Sequence, residues 1–336
     1  MEAGNIALNA SGLRFDPAWL KLVTQSNLPP PPNHEDVFSL REWSEALLFK
    51  IFRMAPYPAE VEETKTEHDS PDGTFKFTVS RFATAAHRAP LGDGEAARPA
   101  VLYLHGGGMI SCTVEIFRPA IARNVAATGV QFFGVDYPRA PEHPAPAAVN
   151  AAFEALKWLS AHAAEMGIDP ARIVVMGDSA GGGLAAGAVL MARDRGLSPP
   201  VAKQVLIYPM LDDRTSYPDD APIIKFLNWT TRDNAMSWDA YLGADKRGKE
   251  DADVSPYAAP GRVKSVEGLP STYIDVGGLD LFREESMKYG MRLVEANVEV
   301  EFHMYPGLPH GFEGGVNAVK LVADAVENRI RAIRAV

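Results

Sequence analysis

Hydrophobic positions in this chain follow two rhythms, and the change between them falls near residue 70. Before it, Asp16-Pro17 reads as an N-cap followed by a first-turn proline, which opens a short helix through Leu22. Pro29 to Pro32 predicts a stiff extended spacer. A longer helix is expected from about Glu35 to Phe52, because Val37, Leu40, Leu47, Leu48 and Ile51 recur at helical spacing. Phe38, Trp43, Phe49 and Phe52 crowd the same helix, and so apolar a segment needs a surface to cover.

From residue 74 strands alternate with helices. Thr74 to Ser80, after the Asp72-Gly73 turn, alternates as an antiparallel edge strand would. Ala100 to Leu104, Val130 to Val135, Arg172 to Met176, Val205 to Tyr208, Thr272 to Val276 and Val300 to Met304 are short continuous apolar runs. Such runs mark strands buried on both faces. Ala148, Ala152, Ala155, Leu156 and Leu159 line one intervening helix, and Val319, Val322, Val326, Ile330 and Ile333 line the last. The repeated alternation predicts an α/β fold with a mostly parallel central sheet flanked by helices. The stretch from Met210 to about Ala259 breaks the rhythm and reads as an insertion holding a helix or two above the sheet.

Three motifs sit on these boundaries. Gly177-Asp178-Ser179-Ala180-Gly181 follows a strand and opens the helical segment Gly183 to Arg193, the setting of a G-x-S-x-G nucleophile elbow. The sharp turn strains the serine backbone and needs small neighbours, and it lifts the hydroxyl above the sheet at a helix N-terminus. His105-Gly106-Gly107-Gly108 follows the Ala100 to Leu104 strand, where successive glycines can aim amides at a carbonyl oxygen. With Ala180, the amides of Gly107 and Gly108 are the first choice for an oxyanion hole, and Gly106 a further one. His105 is expected to shape its own loop by hydrogen bonding. His310-Gly311-Phe312 lies on a loop after a late strand, within reach of Ser179. Asp280 is the expected acid, on the loop after Thr272 to Val276; Asp275 lies inside that strand, and Glu284 and Glu285 read as first-turn acids of the next helix. Asp178 and Glu142 are expected to shape loops, and Cys112 to serve as a small packing residue.

With these motifs in hand, the chain resembles the bacterial hormone-sensitive-lipase-like esterases, also called family IV esterases, from about residue 98 onward. His105 to Gly108 is similar to that family's HGGG, Gly177 to Gly181 to its GDSAG, and Pro306 to Phe312 to its late histidine segment. Tyr137 with Ala140-Pro141-Glu142-His143-Pro144 is similar to its YRLAPEHP stretch, and Asp253 to Pro260 resembles its return from cap to core. Pro138 and Arg139 depart from the usual Arg-Leu, and Leu281 from the usual proline after the acid. The resemblance implies an α/β-hydrolase fold with a helical cap, made of helices in residues 1–70 and part of 210–245 on a catalytic domain spanning 71–336. It implies a serine carboxylester hydrolase acting on short- to medium-chain acyl esters, without cofactor or metal. An amidase, formamidase or lactonase shares the same triad, and a non-catalytic small-molecule receptor is the reading from another class. Met210, Leu211, Trp229 and Phe38 are the expected substrate-pocket residues.

Composition narrows the partners. Against 43 acidic residues stand 33 basic ones, and a net charge of −10 disfavours nucleic acid and anionic membranes. The single cysteine suits a reducing compartment, and the first residues lack the basic and apolar segments of a leader, so a cytoplasmic location is expected. If the N-terminal segment does not cover the site, a homodimerisation arm is the alternative role for it.

Overall fold

The computed structural model describes residues 12–26, 32–313 and 318–336; Pro29 to Pro31 of the expected spacer lie outside them. Strands β1 (Glu62–Asp69), β2 (Lys76–Ala83), β3 (Arg98–Leu104), β4 (Gln131–Asp136), β5 (Ile168–Asp178), β6 (Lys203–Ile207), β7 (Ser271–Gly277) and β8 (Val300–Tyr305) form one sheet. Their spatial order is β1-β2-β4-β3-β5-β6-β7-β8. β3 to β8 run parallel, while β2 pairs antiparallel with both β4 and β1. The apolar runs read from the sequence are these strands. β3 and β5 sit in the middle because Val101, Leu102, Val174 and Val175 must lose water on both faces.

Helices α1 (Pro17–Gln25), α2 (Val37–Phe52), α3 (Ala85–Arg88), α4 (Val114–Thr128), α5 (Ala147–Ala161), α6 (Ala180–Asp194), α7 (Thr231–Leu242), α8 (Arg283–Glu295) and α9 (Lys320–Arg334), with three short 3-10 turns, complete the described elements. The cores on the two faces are separate: α5, α6 and α8 pack on one side, α4 and α9 on the other. α6 is buried from Ala180 to Ala192, which its alanines and glycines permit. α1 starts as the sequence predicts, with Asp16 accepting the Trp19 amide at 2.9 Å. α2 starts at Val37, two residues later than expected, capped by Asp36, whose carboxylate accepts the amides of Phe38 and Ser39.

Two strand assignments need correction. The antiparallel strand after Asp72-Gly73 is not the edge, because β1 pairs outside it along its whole length. β1 reads Glu-Glu-Thr-Lys-Thr-Glu-His-Asp, a charged and mostly exposed strand with no apolar alternation to reveal it. β8 was expected to be buried on both faces, yet it closes the other end of the sheet and is largely half-buried.

α2 does find a surface, though not by its aromatics alone. Leu40 and Ile51 are buried, and Phe52 packs on Phe117 of α4 with ring centroids 4.6 Å apart. Its polar side chains reach into the body of the protein. Arg41 forms a two-pronged pair with Glu142, both contacts at 2.6 Å, and donates to the carbonyls of Ile110 and Ala140. Glu45 accepts the Cys112 amide at 2.9 Å and Arg139 Nη1 at 2.6 Å, so Arg139 forms an ion pair despite the departure at 138–139. The Arg41 pairing holds the Glu142 carboxyl down at about 2.

At the far side of the sheet, Arg329 of α9 is buried against Asp275 of β7, with N–O contacts of 2.6 and 2.9 Å. Removing one partner strands the other charge in a dry environment. Arg329→Met is therefore expected to lower the unfolding free energy by about 3–5 kcal/mol, read from urea denaturation. A loss below about 1 kcal/mol would mean that Asp275 accommodates the change by taking up a proton.

Candidate active site

β5 ends at Asp178, and α6 begins at Ala180, so Ser179 alone makes the turn. Its backbone is held at φ 55°, ψ −121°, a conformation that costs a non-glycine residue about 1–3 kcal/mol. The turn is locked on both sides: Ser179 N–H donates to Ile207 O at 2.9 Å, and its carbonyl accepts from Gly183 and Met210. A side chain at Gly181 would put its Cβ 2.0 Å from Leu104 O, and one at Gly177 would sit 2.1 Å from Gly181 O. The glycines of the motif are thus required by contact.

The structure brings Ser179, His310 and Asp280 together from three loops. His310 Nε2 lies 2.9 Å from Ser179 Oγ, and His310 Nδ1 lies 2.8 Å from Asp280 Oδ2. Asp280 is fully buried, and its other oxygen accepts the Phe282 amide at 2.8 Å, which fixes the carboxylate's rotation. Tyr208 and Phe282 stand edge-on to the imidazole, with centroids 4.6 and 5.1 Å away. An imidazole so oriented can take a proton from the serine hydroxyl while the carboxylate holds its tautomer.

Among the described residues, the amides of Gly107, Gly108 and Ala180 donate no hydrogen bond to the protein. Gly106 is a correction. Its N–H is taken by Asp178 Oδ2 at 3.2 Å, which removes it from the donors available to an oxyanion. Asp178 also accepts the Tyr103 hydroxyl, and burial pushes its carboxyl up to about 7. It shapes the loop, as expected. His105 does the same: Nδ1 is 2.7 Å from Gly106 O, the ring stacks on Tyr137 at 4.3 Å, and burial depresses its basicity. Cys112 is buried with its thiol pushed up to about 12, so it holds no thiolate at neutral pH.

The expected pocket residues divide. Met210 follows Ser179 directly through its amide, and Leu211 is buried beside it. Trp229 lies over the glycine loop: a Cβ at Gly108 would meet its ring at 2.9 Å and the Ser237 hydroxyl at 2.8 Å. Phe38 is a correction. It is 53% exposed, and among the described residues its one ring contact is with Arg41, 5.4 Å away. It sits in the first turn of α2, where helical periodicity cannot say which aromatic turns outward. Trp238, Tyr241 and Phe226 are buried in the insertion.

Several contributors escaped the sequence reading. Glu285 is a first-turn acid of α8, as expected, and its carboxyl turns inward to accept the amides of Leu211 at 2.6 Å and Asp212 at 3.3 Å. Burial pushes it well above the usual carboxylate range, while the two amides pull the other way. Glu313 accepts the Tyr208 hydroxyl and Arg329 Nη1, joining the residues after His310 to the Asp275 pair. No local pattern marks either one.

A separate open groove of about 370 Å³ is lined by Lys76, Phe77, Asp136, Arg139 and His143, with Thr113 at its wall. Thr113 caps α4, and nothing there pairs a nucleophile with a base. Among the described residues no group of three or more His, Cys, Asp or Glu is placed to hold a metal ion, and no helix is long and apolar enough to cross a membrane.

Comparison with known proteins agrees with this geometry. A family model described as the alpha/beta hydrolase fold matches residues 101–314. The chain is similar to Esterase LipI of Mycobacterium tuberculosis, 35% identical over 266 residues, covering 76% of this chain and 78% of that one. It is similar to Carboxylesterase NlhH of the same species, 34% identical over 244 residues, covering 70% and 73%. Among solved structures, a bacterial heroin esterase superposes with a TM-score of 0.82 at 34% identity, covering 96% of this chain and 97% of that one. A hyperthermophilic esterase from the archaeon Pyrobaculum calidifontis gives 0.81 at 28%, covering 96% and 99%. From the matched family model, the eight-stranded sheet and the strained elbow at its centre, the chain belongs to the α/β-hydrolase fold family, in keeping with its resemblance to the hormone-sensitive-lipase-like esterases.

Proposed function

We propose that this protein is a serine carboxylester hydrolase acting on short- to medium-chain acyl esters. The observation that carries the proposal is the chain of contacts from Asp280 through His310 to Ser179, beside unused amides at Gly107, Gly108 and Ala180. In the proposed reaction His310 Nε2 takes the Ser179 proton as Oγ attacks the ester carbonyl. The carbonyl oxygen becomes an oxyanion held by the three amides. The alkoxide leaves with the proton from His310, which gives the alcohol and an acyl-Ser179 ester. Water, deprotonated by the same imidazole, then attacks that ester and releases the acid. Asp280 keeps its charge throughout.

Residues 1–70 and part of 210–245 are proposed as the cap over this site, with the rest of 71–336 as the catalytic domain. Support comes from Trp229 over Gly108, and from Arg41 and Glu45 of α2 on the segment just past the glycine loop. Contacts made within one chain favour a cap over a dimerisation arm. A reducing, cytoplasmic setting is part of the same proposal, since the single thiol is buried and unpaired.

Relatives named as esterases make the ester bond the first to test. A panel of p-nitrophenyl esters of increasing acyl length, with an aryl amide and a lactone beside it, should be turned over best at short to medium chain. A preference for the amide or the lactone would overturn the ester assignment. Ser179→Ala should cost on the order of 10⁶ in kcat, with an unchanged thermal midpoint, because it deletes one oxygen at the cleft. An organophosphonate should label the peptide carrying Ser179 in the parent and nothing in the variant. Near-parental turnover by Ser179→Ala would refute the nucleophile.

The acid is tested by a pair of changes. Asp280→Asn keeps the shape but favours the wrong imidazole tautomer, and should lower kcat by up to about 10⁴. Glu284→Gln, on an exposed first-turn residue, alters a helix-end charge worth under about 1 kcal/mol, and should leave kcat near the parental value. The reverse ranking would show that the carboxylate has been misassigned.

A further inference from the structure

The loop carrying His310 runs from the end of β8 toward α9, and its attachments come from two directions. From below, Gly278 N–H donates to Tyr305 O at 2.7 Å and Leu279 N–H to Leu308 O at 3.0 Å, which join it to the loop carrying Asp280. From outside the sheet, three more of its carbonyls are taken. Gly307 O accepts the Asp16 amide at 2.9 Å, Phe312 O accepts Trp19 Nε1 at 3.1 Å, and His310 O accepts Asn228 Nδ2 at 2.6 Å. Asp16 and Trp19 belong to the start of α1, and Asn228 to the insertion before α7. Phe15 joins these two outer groups, its ring 5.3 Å from Trp19 and 5.1 Å from Phe226.

The imidazole itself has one hydrogen bond to hold its tautomer and two aromatic edges to hold its plane. Its height above Ser179 is set by the backbone of 307–312, and the outer contacts hold that backbone. We propose that Trp19 and Asn228 are positioning residues for the His310 base, fixing Nε2 at hydrogen-bond distance from Ser179 Oγ through the carbonyls of Phe312 and of His310 itself. The N-terminal segment thereby acts on the catalytic base as well as covering the cleft. This inference rests on the esterase reading above.

A single hydrogen bond at an exposed residue adds little to stability, whereas a small displacement of a base costs rate steeply. Stability and catalysis therefore separate the two roles. Trp19→Phe keeps an aromatic ring and removes the N–H donor. Asn228→Ala removes a donor from an exposed side chain and should fold without difficulty. Each should lower kcat on p-nitrophenyl esters about five- to twentyfold, with KM within about twofold, and slow organophosphonate inactivation by the same factor. The thermal midpoint of Asn228→Ala should stay at the parental value. Lys21→Ala, on the exposed side of α1, is the control expected to leave all of these unchanged. Hydrogen exchange of the 306–313 amides, which requires no substrate, should quicken in both variants.

Unchanged kcat in both variants, a change confined to KM, or unchanged exchange in 306–313 would each overturn the positioning role. An inactive parent would instead overturn the esterase reading, and the exchange measurement would still decide whether Trp19 and Asn228 hold the loop.

Discussion

One unfavourable backbone conformation organises the molecule. Ser179 is held in a region of conformational space that its side chain resists, at the end of the central strand and with both of its peptide groups bound. The penalty is sustained because β5 is flanked by β3 and β6, and α6 is buried along nearly its whole length. The neighbouring pieces then follow. The glycine loop leaves β3 beside the serine, the Met210 loop leaves β6 on its other side, and the contact between Gly181 and Leu104 O leaves no room for a larger residue. A sheet with these strands in any other order would not place free amides and a hydroxyl at one point.

The two halves of the site are supported differently. The glycine loop is backed by charge: Arg41 and Glu45 of α2 bind the segment from Ile110 to Cys112, and Asp178 holds Gly106 from beneath. The histidine loop is backed by side-chain donors from α1 and the insertion to its carbonyls, with the Glu313, Arg329 and Asp275 cluster behind it. Salt should therefore act more on the first support than on the second. Burial and pairing shift the surrounding carboxyls in opposite directions. Asp178 and Glu285 are pushed upward, while exposed Glu142 is held low by its guanidinium partner.

Much of this was legible in the residue order, for a physical reason. Strand-helix boundaries leave strong marks, because Gly177 to Gly181 and His105 to Gly108 must be small where backbones approach, and Ser179, Asp280 and His310 sit on loops after apolar runs. What escaped depends on contacts between distant segments. β1 has no apolar alternation, since both its faces meet water. Glu285 looks like an ordinary helix-end acid until the Leu211 amide arrives from 74 residues away. Gly106 differs from Gly107 and Gly108 in facing Asp178, and Phe38 and Phe52 stand at opposite ends of α2, with Phe52 packed on Phe117 of α4. The Arg139 pair with Glu45 shows the converse, an ion pair to α2 made from the stretch that departs from the family pattern.

The spacing of these parts along the chain also sets an order in time. Ser179 precedes His310 by 131 residues. At a synthesis rate of about 5–20 residues per second, the nucleophile leaves the ribosome on the order of ten seconds before its base. The first-made contacts of α1 wait longer still, because Trp19 finds its acceptor at Phe312, 293 residues downstream. A nascent chain thus passes through a long interval in which the serine is present and chemically inert. Hydrolytic power would arrive late in maturation, when the segments carrying Trp19 and His310 meet.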